Sequence, residues 1–215
     1  MTQSRIAPYP MPTAASLPAD GPSWSIDPRR SAILVQHVQK YLLRSLRENA
    51  PIGELLSNAG RLTRSARCAG VPVVYAVGAP GQRAGGAGHV VLEPPAETEA
   101  RAVADVVEPQ AGDSVLTAKR YSTFVGTRLR ARLKELGRDQ LVVVGVGART
   151  EVLLTAADAW MQDLEPFVVG DAVVDRTAAD HAMALQWLAA TCAAVAVTDS
   201  VVEAFRGQRV DAEAV

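Results

Sequence analysis

The chain has 215 residues, 48% of them hydrophobic, enough for one sizeable core. Its 22 Lys and Arg against 23 Asp and Glu leave a net charge of -1. That balance excludes the basic footprint of a nucleic-acid or anionic-membrane binder. The apolar runs are far too short to span a bilayer. No basic stretch followed by an apolar one opens the chain, so no secretory signal is expected. Cys68 and Cys192 are the only cysteines, and both lie among small apolar residues. A reduced, cytoplasmic setting with both thiols buried is expected for them.

Residues 1–30 are rich in proline and read as an extended arm. Short β-branched runs then alternate with longer amphipathic ones. A strand is expected over 32–38, a helix over 52–68 and a strand over 71–77. A glycine-rich loop over 78–88 separates these from a helix near 97–107. A strand over 114–118, a helix over 127–136 and a strand over 140–146 come next. A helix over 150–163, a strand over 166–170, a helix over 178–190 and a strand over 194–198 complete the pattern. Strands apolar on both faces and separated by helices predict a parallel sheet covered on two sides. The expected fold is α/β, a three-layer αβα Rossmann-like sandwich with six parallel strands. One domain over 31–207 is expected, with a tail over 208–215, because no repeat or composition break divides the chain.

Ligands of open α/β sheets bind beyond the carboxyl ends of strands, where strand order reverses. That rule draws attention to His37 after the first strand, Ala118 at the end of the third, and the segment Gly145-Val-Gly-Ala-Arg-Thr-Glu151 after the fourth. The last of these has two of the three glycines of a dinucleotide-binding turn, and Asp171 ends the next expected strand. Thr150 stands where the third glycine belongs, so nucleotide binding is a weak reading. No zinc-ligand spacing, Ser-His-Asp order or P-loop lysine is present. No cofactor and no metal are expected.

Three segments carry a family resemblance. Ala32-Ile-Leu-Val-Gln-His-Val-Gln-Lys-Tyr41 is similar to H-D-M-Q-x-Y with its preceding strand. Val115-Leu-Thr-Ala-Lys-Arg-Tyr-Ser-Thr-Phe124 resembles V-L-x-K-x-R-Y-S-x-F. Gly145-Val-Gly-Ala-Arg-Thr-Glu-Val152 resembles G-V-Y-A-H-x-[G/C]. These are the motifs of the isochorismatase-like hydrolases. Segments such as Ala7-Pro-Tyr-Pro-Met-Pro-Thr13 and Pro166-Phe-Val-Val-Gly-Asp-Ala172 resemble the phenazine-pathway branch in particular. The resemblance implies that strands one and four are neighbours at the switch point. It also implies a homodimer and a small-molecule, secondary-metabolic role.

The same resemblance locates what has been exchanged. The catalytic Asp of the family corresponds to His37, its Lys to Ala118, and its nucleophilic Cys or its Gly to Glu151. Its Tyr and His of the third motif correspond to Gly147 and Arg149, and a substrate-contacting Gln to Gly78. His37 and Glu151 are therefore the candidate catalytic pair, in which Glu151 should raise the pKa of His37 and tune it as an acid near neutrality. Arg149 is a candidate anion anchor. Gly147, Gly78, Ala118, Tyr41 and Arg120 are the other candidate substrate-facing positions. Each also has a plain structural reading: a hydrogen-bonded histidine at a strand end, a carboxylate in the first turn of a helix, framework residues elsewhere. Two functions stay open on the sequence. One is a repurposed enzyme acting on a small carboxylate or cyclic substrate. The other is a catalytically inactive homologue that binds a ligand or partner protein.

Overall fold

A computed structural model describes residues 8–46, 50–78 and 97–212, with side chains described as far as Gly207. The expected glycine-rich loop, apart from Gly78 itself, lies outside those residues. Six strands form one parallel sheet: β1 (Ser31–Gln36), β2 (Val73–Gly78), β3 (Ser114–Ala118), β4 (Gln140–Val146), β5 (Glu165–Val174) and β6 (Ala194–Ala196). Their order is β3-β2-β1-β4-β5-β6, so strand order reverses between β1 and β4.

Among the described residues, seven α-helices accompany the sheet: α1 (Lys40–Leu46), α2 (Ile52–Cys68), α3 (Thr98–Arg101), α4 (Leu129–Glu135), α5 (Leu153–Met161), α6 (Ala178–Thr191) and α7 (Thr198–Ala212). The side chains of β1 show why the sheet must be sandwiched. Ile33 and Val35 join Leu55 and Leu62 of α2 and Phe205 of α7 in one core. Ala32 and Leu34 point the other way, to Leu129 of α4, Ala156 of α5 and Leu188 of α6. Successive residues of a strand face opposite sides, so a run apolar at every position needs helices on both. Each fully buried leucine of this kind contributes about 1.5–3 kcal/mol. The expected three-layer α/β architecture is the one observed.

Several elements depart from expectation. The helix expected over 97–107 is broken into α3 and a 3₁₀ turn at Asp105–Val107. The chain between them is extended because its backbone pairs elsewhere: Lys40 N–H donates to Ala102 O at 2.9 Å and Ala104 N–H to Val38 O at 3.0 Å. Strand β5 runs on past Gly170 to Val174, and its register with β4 shifts between Val143 and Gly145. Helix α5 is preceded by a wide π-type turn at Ala148–Val152. Helix α7 runs across the boundary expected after residue 207. The arm packs Tyr9, Met11, Trp24 and Ile26 against the core. No helix among the described residues is long and apolar enough to cross a membrane.

Candidate functional site

The carboxyl ends of β1 to β4 bring the candidate positions to one edge of the sheet. Gln36, the last residue of β1, pairs with Ala76 of β2 and Gly145 of β4, and Gly78 pairs with Ala118. His37 leaves β1 with its N–H donating to Ala76 O at 2.9 Å. Its φ of 55° is left-handed, a conformation that non-glycine residues hold only when their surroundings impose it. Its ring nitrogen Nε2 is buried and has no hydrogen-bond partner among the described residues. Burial pushes the pKa of His37 down to about 4. The ring is therefore neutral at neutral pH.

Behind His37 lies a buried polar brace. The Gln36 amide donates to Thr123 Oγ1 at 2.7 Å and Thr155 Oγ1 at 2.9 Å. Thr155 Oγ1 also accepts from Thr123 N at 3.0 Å, and Ser122 donates to Asp158 at 2.6 Å. This ties the Tyr-Ser-Thr-Phe segment to α5, a framework role.

The second half of the site is the turn after β4. Gly145 has φ 131°, and a Cβ there would stand 2.0 Å from Gln36 O, so only glycine lets β4 pass β1 at that point. Gly147 caps the turn at φ 84° and ψ 53°. A Cβ on it would lie 1.9 Å from Glu151 Oε2. The Glu151 carboxylate thus occupies the volume that a side chain at 147 would fill. The Thr150 hydroxyl and the backbone N–H of Glu151 itself hydrogen-bond it. Burial raises the Glu151 pKa against those bonds, and the nearby negative charge of Asp175 adds to the rise. Glu151 in turn adds to the upward shift of Tyr41, which is chiefly due to burial. The Tyr41 hydroxyl would be 3.2 Å, and Gln39 Oε1 3.3 Å, from a Cβ on Gly78. Tyr41, Gly78, Gly147 and Glu151 therefore line the same edge.

The expected coupling of His37 to Glu151 is corrected. No hydrogen bond or ion pair joins them among the described residues, and Glu151 is not among the causes of the His37 shift. That shift is downward, opposite to the expected direction, because desolvation of a buried ring outweighs any charge pairing here. Arg149 sends its guanidinium to Asp180 at 3.2 Å. Arg120 is exposed and donates to the carbonyl of Lys119, which is exposed as well. Ala118 is buried. Asp171 lies inside β5 and caps α7 through Thr198, at 2.7 Å to its N and 2.8 Å to its Oγ1. The dinucleotide reading thereby loses its acidic residue. Among the described residues, no three His, Cys, Asp or Glu gather as metal ligands. Cys68 and Cys192 end helices that lead into the opposite, amino edge of the sheet. Cys192 is buried as expected, whereas Cys68 is exposed, on the same outward face of α2 as Arg64.

Three contributing residues were not singled out by sequence. Gln39 accepts from Gly78 N at 2.7 Å and donates to Arg101 O at 2.8 Å, closing the edge between β2 and the 97–104 segment. Asp175 accepts from Arg149 N at 2.8 Å, and Tyr9 bonds the backbone of Asp175. Tyr9 sits inside the arm segment that resembles the phenazine branch, the one signal that could have found it. Gln39 stands on the Gln of H-D-M-Q-x-Y, the signal that could have found it, whereas nothing in the sequence marks Asp175.

The isochorismatase domain profile matches residues 31–200. The phenazine biosynthesis protein PhzD1 of Pseudomonas aeruginosa is 40% identical over 205 residues, covering 92% of this chain and 97% of that protein. The isochorismatase of Bacillus subtilis is 34% identical, covering 97% of this chain and 68% of that protein. In structure, a cysteine hydrolase from Pseudomonas syringae superposes with a TM-score of 0.74 at 20% identity, covering 86% and 96% of the two chains. A domain match across most of the chain and relatives of this identity lead to one conclusion: the chain belongs to the isochorismatase family.

Proposed function

We propose that this protein serves small-molecule, secondary-metabolite biosynthesis with a repurposed active site, and that it is not a working isochorismatase. Its substrate is a small carboxylate or cyclic compound held at the carboxyl edge between β1 and β4. The observation that carries this reading is the buried Nε2 of His37 at the switch point, which has no hydrogen-bond partner among the described residues. A buried polar atom without a partner costs about 1–3 kcal/mol, which a ligand's hydrogen bond would recover.

The division of labour follows from the environments. His37 is neutral and offers its ring nitrogen as a hydrogen-bonding and proton-accepting group. Glu151, with its pKa raised by burial, is the better proton donor. The acid of the site has in this reading moved from position 37 to position 151. Ala118 supplies no ammonium, and position 151 supplies no thiol, so neither lysine-assisted nor thiol chemistry is available there.

One observation favours the second reading, an inactive ligand-binding homologue. The Glu151 carboxylate is bonded to its own N–H and to Thr150, and so fills the anion position that a helix N-terminus would offer a ligand.

Two assays separate these. With isochorismate, pyruvate release should stay far below that of an ordinary isochorismatase; comparable turnover overturns the proposal. A panel of cyclic vinyl ethers, esters and amides, followed by mass spectrometry, should then yield a converted compound. Its conversion should fall about 10²–10⁴-fold in Glu151→Gln, the usual range for loss of a general acid. Compounds that bind without conversion favour the inactive homologue.

A further inference from the structure

We propose that Tyr9 and Asp175 are positioning residues of the site: together they fix the turn that presents Glu151, so that docking of the N-terminal arm sets the geometry of the crevice. The proposal rests on the reading of Glu151 as the acid. Asp175 is 7% exposed, and both its carboxylate oxygens are engaged by backbone. Oδ2 accepts from Arg149 N at 2.8 Å, and Oδ1 from Arg176 N at 2.7 Å. The first bond ties Asp175 to the turn at Ala148–Val152, two residues from Glu151. A second tie is the bond from Gly147 N to Val174 O at 2.9 Å.

Asp175 is itself held by the arm. The Tyr9 hydroxyl donates to Asp175 O at 3.0 Å and accepts from Asp175 N at 3.1 Å, across 166 residues of chain. One hydroxyl thus satisfies both backbone groups of a residue just beyond the end of β5, where no neighbouring strand does so. The Tyr9 ring stands edge-on to His181, with centroids 5.7 Å apart and planes at 70°. His181 is fixed by its Nε2 contact to Gly170 O at 3.0 Å. Arm, end of β5 and turn form one connected chain of contacts.

The groups around Glu151 give the contact an electrostatic consequence. Asp175 adds a like charge and Thr150 a hydroxyl donor, and Tyr41 of α1 is coupled to the carboxylate. On the same turn, Arg149 is paired with Asp180 of α6, and at the end of β1 the His37 ring is neutral. Asp175 is the negative neighbour that adds to the upward shift of the Glu151 pKa, whose first cause is burial.

The test uses the full chain and needs no substrate. Amide hydrogen exchange at Arg149 and the ionisation midpoint of the Glu151 carboxyl, followed by carbon-detected NMR, are measured in wild type, Tyr9→Phe and Asp175→Asn. Tyr9→Phe keeps the ring contact with His181 and loses both hydrogen bonds. It should speed Arg149 exchange about tenfold, the equivalent of one or two lost hydrogen bonds. Asp175→Asn should lower the Glu151 midpoint. If Asp175→Asn fails to fold, Tyr9→Phe carries both readouts, since freeing Asp175 from the arm should also move the midpoint. Variants that melt earlier while Arg149 exchange and the Glu151 midpoint stay unchanged would overturn the proposal, leaving the arm as a core cover only. Moved readouts with no substrate ever converted would sustain the positioning role and remove the acid reading instead.

Discussion

At residue 37 a left-handed backbone and a buried ring nitrogen without a partner among the described residues coincide, and each costs free energy. The ring also makes stability depend on pH. Its folded value of about 4 lies below the ordinary 6.5, so as pH falls the unfolded chain binds the proton first. The stability concerned is complete above about 6.5 and is lost as pH falls towards 4. It amounts to at most about 3 kcal/mol. Glu151, raised, acts in the opposite sense, so its contribution falls as pH rises above 4.5. Asn tolerates the left-handed region and does not titrate. The His37→Asn variant should therefore show a shallower rise of melting temperature between pH 4 and 6.5; equal slopes would mean that His37 is not a buried neutral ring. A second pair is argued from volume. Gly147→Ala should cost about 1–2 kcal/mol for its backbone alone, plus displacement of the Glu151 carboxylate. In a Glu151→Ala background only the backbone cost should remain, and a denaturation cycle over the four proteins reads the difference. Additive costs would show that the two positions do not share one space. The motif pattern in the sequence revealed both exchanges. That they compensate in volume depends on the rotamer of Glu151, which no linear pattern encodes.

Elements whose apolar period matches their burial were legible; those shaped by a partner distant in sequence without such a period were not. The runs at Ser114–Ala118 and Gln140–Val146 and the helix at Ile52–Cys68 occur at their expected bounds, because period and burial agree there. The 97–107 segment has helical composition, yet its backbone is drawn into pairing with Val38 and Lys40, an override of propensity by a partner distant in sequence. Short α1 was not expected at all: seven residues following a strand give too little periodicity to detect. The brace between β1, the 121–124 segment and α5 was equally invisible, since two threonines in separate elements carry no shared pattern. It is nonetheless testable. Thr155→Val keeps shape but removes the acceptor of the Gln36 amide and of Thr123 N, both buried. Leaving such donors short should cost about 1–3 kcal/mol in chemical denaturation. A loss below about 0.5 kcal/mol, the level of an ordinary surface change, would mean that the brace is not bearing on stability.

For the whole molecule, the layers follow from the alternation of apolar strands with amphipathic helices, whereas the neighbouring of strands one and four was implied by the family resemblance. The strand reversal there puts the candidate residues on one edge. What covers the molecule's own apolar surface is a separate question. Leu154, Trp160 and Met161 on α5 are 41%, 50% and 66% exposed, and Met183 and Trp187 on α6 each 40%. These two helices cover the same face of the sheet, so the side chains share the outer side of one helical layer. Large apolar side chains gathered in this way mark an association surface more often than a solvated one. Tryptophan and methionine are also among the residues enriched at interfaces. We propose that two copies meet there about a two-fold axis, the commonest closed arrangement. The net charge of -1 offers little repulsion between copies. Light scattering at micromolar concentration should give twice the 22.7 kDa of one chain. Trp160→Glu together with Trp187→Glu should return it to the monomer without loss of helix content, because both side chains lie outside the cores. A monomer mass for the unaltered chain would refute the dimer, and a dimer that survives both substitutions would place its interface on another face.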